Sequence, residues 1–446
     1  MITPHTEAEK HDEKSHDGTL HQASSPVVSS PKERQTAFQR ICQKLVLAQF
    51  SKMTRGCLHM TLPNRQTLMI GKPGQSPEAT IRVVNSSFFE RCVFFGAIGF
   101  AEAFIDALWE TDELTTVIAW FIENGEDSTV FETSNRKSKL LNLLNFYNRQ
   151  LHKRKENTLA GSKENIRDHY DLGNEFFKLF LDETMTYSSA MFASSNQTLE
   201  AAQVNKYDAL CKKMHLRATD QVLEIGSGWG HFAVHAATNY GCKVTTITLS
   251  EEQFKYVTEL IETLHLTDNV TVYLKDFRLM EGKFDKIVSI EMVEALGDPF
   301  IDVFFKKCSQ LLTANGLLGI QMICAADCRY NQMKDGVDFI QKHIFPGGQL
   351  LSIGRTVTAT KNTSNLQLYH LQDFAESYAQ TLRKWKERFN ARLDDVRALG
   401  FDQKFIRKWN YYFSYCEAAF RTRECSVVQA IYTRPNNHML AEDLAL

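Results

Sequence analysis

The feature that most constrains this chain is a short apolar run that ends in a glycine turn and passes straight into a helical pattern. Val222-Leu223-Glu224-Ile225 reads as a buried strand, Gly226-Ser227-Gly228-Trp229-Gly230 as a tight turn, and His231 to Tyr240 as a helix. Glycines in that place let the backbone turn sharply and approach a ligand closely. The spacing is Gly-x-Gly-x-Gly, not the dinucleotide pattern Gly-x-Gly-x-x-Gly, so a nucleoside-type ligand is expected and no pyrophosphate site is implied. Downstream, strand-like runs at Lys243–Leu249, Val270–Leu274, Lys286–Ile290, Leu317–Ile323 and Val427–Tyr432 alternate with helical segments such as Phe254–Leu264 and Phe300–Leu312. That alternation predicts an α/β fold: a mostly parallel, Rossmann-like sheet with helices on both faces. Ser250-Glu251-Glu252-Gln253 reads as a capping box at the start of one helix.

The rest of the chain divides around this unit. Residues 1–36 are polar and charged and are expected to be a disordered tail. Residues 37–147 read as a small α+β domain. Phe38, Ile41, Leu45 and Ala48 recur at helical spacing, Thr67–Ile70 and Thr80–Val84 are strand-like, and Ile98–Trp109 and Leu114–Ile122 read as helices. Residues 148–166 form a basic linker. From Arg136 to Arg167 there are nine Lys or Arg and two acids, Glu156 and Glu164. This is either a solvated segment or a foothold on anionic lipid, worth ~1 kcal/mol per basic residue near the surface. The catalytic unit is expected over 167–435, with a tail at 436–446.

Composition excludes several classes. The net charge is −2, which gives no field for nucleic acid. The longest apolar run, Cys92–Ala101, is too short to span a bilayer. The ten cysteines occur singly with no CxxC pair, so reduced thiols, a cytoplasmic location and no metal site are expected.

Ligand contacts can be placed on the strand ends. Thr248, Ser250 and Gln253 offer hydroxyls and an amide to a ribose or an amino-acid tail. Asp276 can accept from an adenine amine and Phe277 can stack on the ring; a capping acid and a core aromatic are the alternatives.

Read together, five segments resemble the cyclopropane-fatty-acyl-phospholipid synthases, a group that includes the mycolic acid cyclopropane synthases and uses S-adenosylmethionine. They are His169-Tyr170-Asp171-Leu172-Gly173-Asn174, Thr186-Tyr187-Ser188-Ser189-Ala190, the glycine loop, Ser289-Ile290-Glu291-Met292-Val293-Glu294, and Ile344-Phe345-Pro346-Gly347-Gly348. The resemblance runs from about residue 90 to about 433. It implies that Tyr187 and Ser188 contact the methionine part of the cofactor. Glu224, Gly226, Gly228, Trp229 and Gly230 would lie against it, Thr248, Ser250 and Gln253 on its ribose side, and Asp276, Phe277 and Arg278 around the adenine. It also implies a bicarbonate ion at the reaction centre, held by Glu294, Tyr378 and the Ile323 backbone. Cys416 matches a family cysteine once assigned as catalytic; a small buried cysteine is the alternative.

Three positions depart from the best-known members. Ser189 replaces a cysteine, Gln321 replaces the histidine that holds bicarbonate, and Glu294-Ala295 replaces Glu-His. A neutral amide can donate to an anion but supplies no titrating proton. The expected reaction is methyl(ene) transfer to the double bond of an unsaturated phospholipid acyl chain, giving a cyclopropane by way of a carbocation that bicarbonate deprotonates. The alternatives are C-methylation without ring closure, a methyltransferase for a small soluble acceptor, and an inactive lipid- or nucleoside-binding relative. Membrane phospholipid is the expected partner, through peripheral contact with the bilayer; nucleic acid is not, and a homodimer is compatible with this reading.

Overall fold

A computed structural model describes residues 35–125, 172–438 and 440. The expectations for most of the N-terminal tail, the linker 148–166, the segment His169–Asp171 and most of the C-terminal tail lie outside these residues.

The first elements are helix α1 (Ala37–Phe50), strands β1 (Cys57–Thr61), β2 (Thr67–Gly71) and β3 (Glu78–Val83), helix α2 (Ser87–Ile105), strand β4 (Trp109–Glu110) and helix α3 (Leu114–Glu123). The strands form a sheet in the order β2-β1-β3-β4. One expectation needs correction, the bounds of α2. Helix α1 is present, with Cys42, Val46 and Phe50 on its core face. The apolar set noted in the sequence is exposed instead: Phe38 at 50%, Ile41 at 56% and Leu45 at 53%. Both sets have helical spacing, so periodicity alone did not decide which faced inward. Helix α2 begins earlier than expected and stops before Trp109. It is broken at Gly96, whose φ of 55° and ψ of −132° are non-helical.

The second unit follows with helix α4 (Leu199–Lys213), β5 (Gln221–Ile225), α5 (His231–Tyr240), β6 (Lys243–Thr248), α6 (Glu251–Thr263), β7 (Val270–Leu274), β8 (Phe284–Ile290), α7 (Asp298–Leu311), β9 (Leu312–Ala325), α8 (Ile353–Thr363), β10 (Gln367–Asp373), α9 (Ala375–Ala391), α10 (Gln403–Arg421) and β11 (Cys425–Thr433). The seven strands order as β10-β11-β9-β8-β5-β6-β7. Strands β5 to β9 run parallel, and β11 pairs antiparallel with β9. Alternating residues bury on opposite faces, as strand geometry requires. Leu223 and Ile225 pack with Ile301 and Phe304 of α7, while Val222 packs with Leu210 of α4 and Phe232 of α5. The fold is therefore the Rossmann-like α/β arrangement.

The two units share one apolar core, in which Phe50, Trp109 and Trp120 lie with Phe176, Phe180 and Trp409. A buried polar tie crosses the same boundary. Thr115 of α3 donates to Glu417 of α10 at 2.9 Å, and Lys386 of α9 donates to both, at 2.8 and 3.0 Å.

Candidate active site

In an open α/β sheet, ligands bind outside the carboxyl ends of the parallel strands. Here that edge opens into a cavity of about 720 Å³, walled by residues that end β5, β6, β8 and β9. The glycine turn forms its floor. Gly226 has φ +96°, and a Cβ there would lie 3.0 Å from the Met292 side chain. Gly230 has φ +86° and would bring a Cβ to 2.9 Å from Val257. Gly228 faces open space, so backbone and not side chain meets a ligand here.

The residues expected around the cofactor converge on this cavity with two exceptions, Gly230 and Ser250. Tyr187, Ser188, Glu224, Trp229, Thr248, Gln253, Asp276, Phe277 and Arg278 all line it. Ser250 does not; it caps α6 by accepting from the Gln253 N–H. The expected capping box is only half formed, because the Gln253 side chain accepts from Thr248 Oγ1 at 2.8 Å instead of reaching back. Asp276 takes the Arg278 backbone N–H, Nε and Nη2, at 2.8, 2.8 and 2.6 Å. Phe277 packs edge-on against Phe304. Trp229 donates to Asn174 at 2.9 Å and packs on Phe177. Ser188 Oγ accepts from Lys206 Nζ at 2.7 Å. Glu224 accepts from Thr246 and is pushed up to about 8 by burial.

The reaction end is built around Glu291, which the sequence offers only as part of the Ser289–Glu294 segment. Glu291 Oε1 accepts from the Ser189 N–H at 2.9 Å and from Gln321 Nε2 at 2.8 Å. Its Oε2 accepts from Tyr378 at 2.7 Å. Ser189 and Gln321 are fully buried behind it. Gln321 is itself oriented by Gln429, which donates to its Oε1 at 3.1 Å. Glu291 adopts φ +47°, a left-handed conformation that costs of order 1–3 kcal/mol in a non-glycine residue and recurs at active sites. Burial pushes its carboxyl up, and the three donors with the Lys206 charge pull against that.

Glu294 stands beside it on the turn Val293–Ala295. Its Oε1 accepts from the Ile323 N–H, and its Oε2 is enclosed without a partner. Burial, then the like charge of Glu291, raises it to about 8. Two acids in one enclosed space with raised values suit proton transfer near neutral pH. The cavity is also lined by the aromatic side chains Tyr187, Phe345, Tyr378, Tyr412 and Phe420. Cys416 also lines the cavity, but burial pushes its thiol up, away from the thiolate a nucleophile needs.

Two residues of this site escaped sequence reasoning. Glu291 was legible as a second acid at the end of β8, beside the strand β9 that carries Gln321 in a histidine's place. Lys206, buried and lowered to about 7 by desolvation, sits in an ordinary helical pattern and gave no signal. Among the described residues, Cys57, His59 and Glu78 lie close enough to share an ion, but His59 and Glu78 are already bonded at 2.7 Å on the N-terminal sheet, apart from this cavity.

Residues 157–430 match the family model described as mycolic acid cyclopropane synthetase. The chain belongs to that family. The tuberculostearic acid methyltransferase UfaA1 of Mycobacterium tuberculosis is 35% identical over 344 residues, 75% of this chain and 78% of that protein. The cyclopropane-fatty-acyl-phospholipid synthase of Escherichia coli is 32% identical over 362 residues, 81% of this chain and 89% of that protein. The solved mycolic acid cyclopropane synthase CmaA1, complexed with SAH and CTAB, superposes with a TM-score of 0.57 at 29% identity, covering 61% of this chain and 98% of that one. Coclaurine N-methyltransferase, at 18% identity and a TM-score of 0.57, shares the fold alone. This member of the synthetase family is an S-adenosylmethionine-dependent methyltransferase, and its glycine floor and the open space at Gly228 fit that cofactor. Bicarbonate does not fit. The Ser189, Gln321 and Tyr378 donors are all taken by the Glu291 carboxylate, and Glu294 and Ile323 are bonded to each other. The expectation of a bound bicarbonate is corrected on that ground: a carboxylate of the chain occupies the donors that an anion would need.

Proposed function

We propose that the enzyme methylates a double bond in an unsaturated acyl chain of membrane phospholipid, and that Glu291 takes the proton in place of a free anion. The observation that carries this is the three-donor hold on Glu291 beside Glu294. S-adenosylmethionine supplies an electrophilic methyl group on sulfonium. The alkene π pair forms the new C–C bond while the C–S bond electrons stay on sulfur, which leaves a cation on the chain. Tyr187, Tyr412 and Phe420 present aromatic faces, and a desolvated cation gains ~2 kcal/mol or more from such a face. The enclosed cavity keeps water from trapping it. A 1,2-hydride shift moves the cation onto the methyl-bearing carbon. Glu291 Oε2, with a lone pair left after Tyr378, then takes a proton from the transferred methyl group, and the C–H pair becomes the new C=C bond. The product is a methylene-branched chain; the same proton lost before the hydride shift would close the ring. Ring closure, favoured by the family to which the chain belongs, is the second reading.

The membrane side of the proposal rests on α1. Phe38, Ile41 and Leu45 are exposed on a helix that has no acidic residue and carries exposed Arg40 and Lys44. A basic amphipathic face of this kind suits an anionic lipid surface. No helix among the described residues is long and apolar enough to cross a membrane.

The test is mass spectrometry of acyl chains from monounsaturated phospholipid vesicles, after incubation with the enzyme and methyl-labelled cofactor. One added carbon with an alkene retained supports the proposal. The same addition with the alkene lost to a ring supports the second reading. No labelled lipid overturns both.

A further inference from the structure

The cavity does not end at the catalytic unit. Ala97 and Ile98 of α2, with Ile118 and Ile122 of α3, line the same space as Glu291 and Glu294. The family match begins only at residue 157, so this wall belongs to a part of the chain that the match does not cover. We infer that the N-terminal unit carries an acyl-binding subsite: α2 and α3 bound one arm of the acyl chain beyond the reacting double bond and so set which chains are accepted.

Three observations support it. All four side chains are apolar and carry no group that could act on a nucleoside or an anion, whereas Glu291, Glu294 and Tyr378 stand on the catalytic unit. The break in α2 at Gly96 falls immediately before Ala97 and Ile98. It is locked by close packing, since a Cβ at Gly99 would fall 2.1 Å from the Arg91 carbonyl. The wall is also pinned to the catalytic unit from both ends. Glu102 of α2 accepts from Lys342 at 2.7 Å and bonds His343 at 3.2 Å, which holds its carboxyl down at about 2. At the other end, Thr115 of α3 is bonded into the Glu417–Lys386 tie. Lys342 and His343 belong to the short helix Phe339–His343, whose Phe339 and Ile340 line the cavity too. A wall fixed this firmly can measure a chain, because a misplaced methylene cannot be absorbed by movement.

The subsite rests on the reading of the enzyme as an acyl-chain methyltransferase, and the experiment separates the two. The full-length enzyme is given equal amounts of palmitoleoyl, oleoyl and cis-vaccenoyl phosphatidylglycerol in one vesicle. The first two differ only in the methyl-terminal arm; the first and third differ only in the carboxyl-terminal arm. Ile118→Trp narrows the wall and Ile118→Ala widens it. One methylene in an apolar pocket discriminates by roughly 10–200-fold. The product ratio along one of the two series is therefore expected to shift about tenfold or more toward the shorter arm in Ile118→Trp, and toward the longer arm in Ile118→Ala. Thermal stabilisation by S-adenosylmethionine stays as in wild type. If Ile118→Trp does not melt cooperatively, Ile118→Ala decides alone. Product ratios within twofold of wild type in both series overturn the subsite. If the wild type labels no acyl chain, the methyltransferase reading falls first. The subsite is then decided by photo-crosslinking with a phospholipid that bears a diazirine in either arm: label within residues 97–125 upholds it, and label only elsewhere overturns it.

Discussion

The Tyr378 hydroxyl donates to Glu291 Oε2 at 2.7 Å, while its ring lies stacked on Phe420 with centroids 4.4 Å apart. Tyr378→Phe keeps the stack and removes the donor. The carboxylate then loses a bond that favours its charged form, so its proton affinity rises above the already raised wild-type level. Less of it is available as a base at neutral pH. Labelled lipid formation at pH 7 should fall by about 10–100-fold, within the range usual for losing part of a general base. The acid limb of the pH–rate profile should move to higher pH. A uniform drop with an unmoved limb would show that Tyr378 is only a packing residue.

Glu291 also blocks the place where an external anion would sit. Glu291→Gln keeps the shape but cannot take a proton; it should lose labelled product by about 10²–10⁴-fold while still being stabilised by S-adenosylmethionine. Glu291→Gly empties the three-donor cradle and relieves the φ of +47°, which glycine adopts without strain. This variant should be nearly inactive in carbonate-free buffer and regain activity as bicarbonate is added, saturating with concentration. The wild type should show no such response. Wild-type activity that rises with bicarbonate would remove the reason for assigning the proton to Glu291.

Much of this was legible in the sequence, and the residues show where legibility stopped. The five parallel strands were found because each is a Val- or Ile-rich run followed by a turn, and a doubly covered sheet forces that pattern. Tyr187 with Ser188, and the glycine loop, each sit in one contiguous motif, which a resemblance can pick out. Glu291 was not chosen, because its role depends on donors 102, 30 and 87 residues away in the chain. The inward face of α1 is not readable locally for a related reason: Cys42, Val46 and Phe50 repeat as regularly as Phe38, Ile41 and Leu45, and only tertiary packing separates the two stripes. The Gln253 side chain bonds Thr248 instead of completing a cap, which marks it as a wall residue, and no local rule distinguishes these fates.

Glu294 couples the site to stability. Its carboxyl is raised to about 8 in the folded protein, against about 4.3 in an unfolded chain. The folded state therefore binds the proton more tightly than the unfolded state. This contribution is fully present below the unfolded value and is lost as pH rises through the folded one. Glu294→Gln removes it. Urea midpoints of wild type should fall more steeply between pH 5 and pH 8 than those of Glu294→Gln. Parallel curves would mean that the carboxyl titrates normally.

The exposed stripe on α1 can be tested without touching the site. Ile41 and Leu45 are more than half exposed, so Ile41→Ser with Leu45→Ser should leave thermal stability and cofactor-induced stabilisation unchanged. Fully burying such a side chain is worth about 1.5–3 kcal/mol, and even half of that for each residue predicts at least a tenfold loss of binding to phosphatidylglycerol vesicles in sedimentation. Arg40 and Lys44 flank the stripe and add ~1 kcal/mol each near an anionic surface. That part is screened by salt, so wild-type binding should weaken from low salt to 0.5 M salt while the residual apolar part survives. In the double variant the salt-sensitive part should remain and the salt-resistant part disappear. Vesicle binding equal to wild type at both salt concentrations would place the membrane contact elsewhere on the protein.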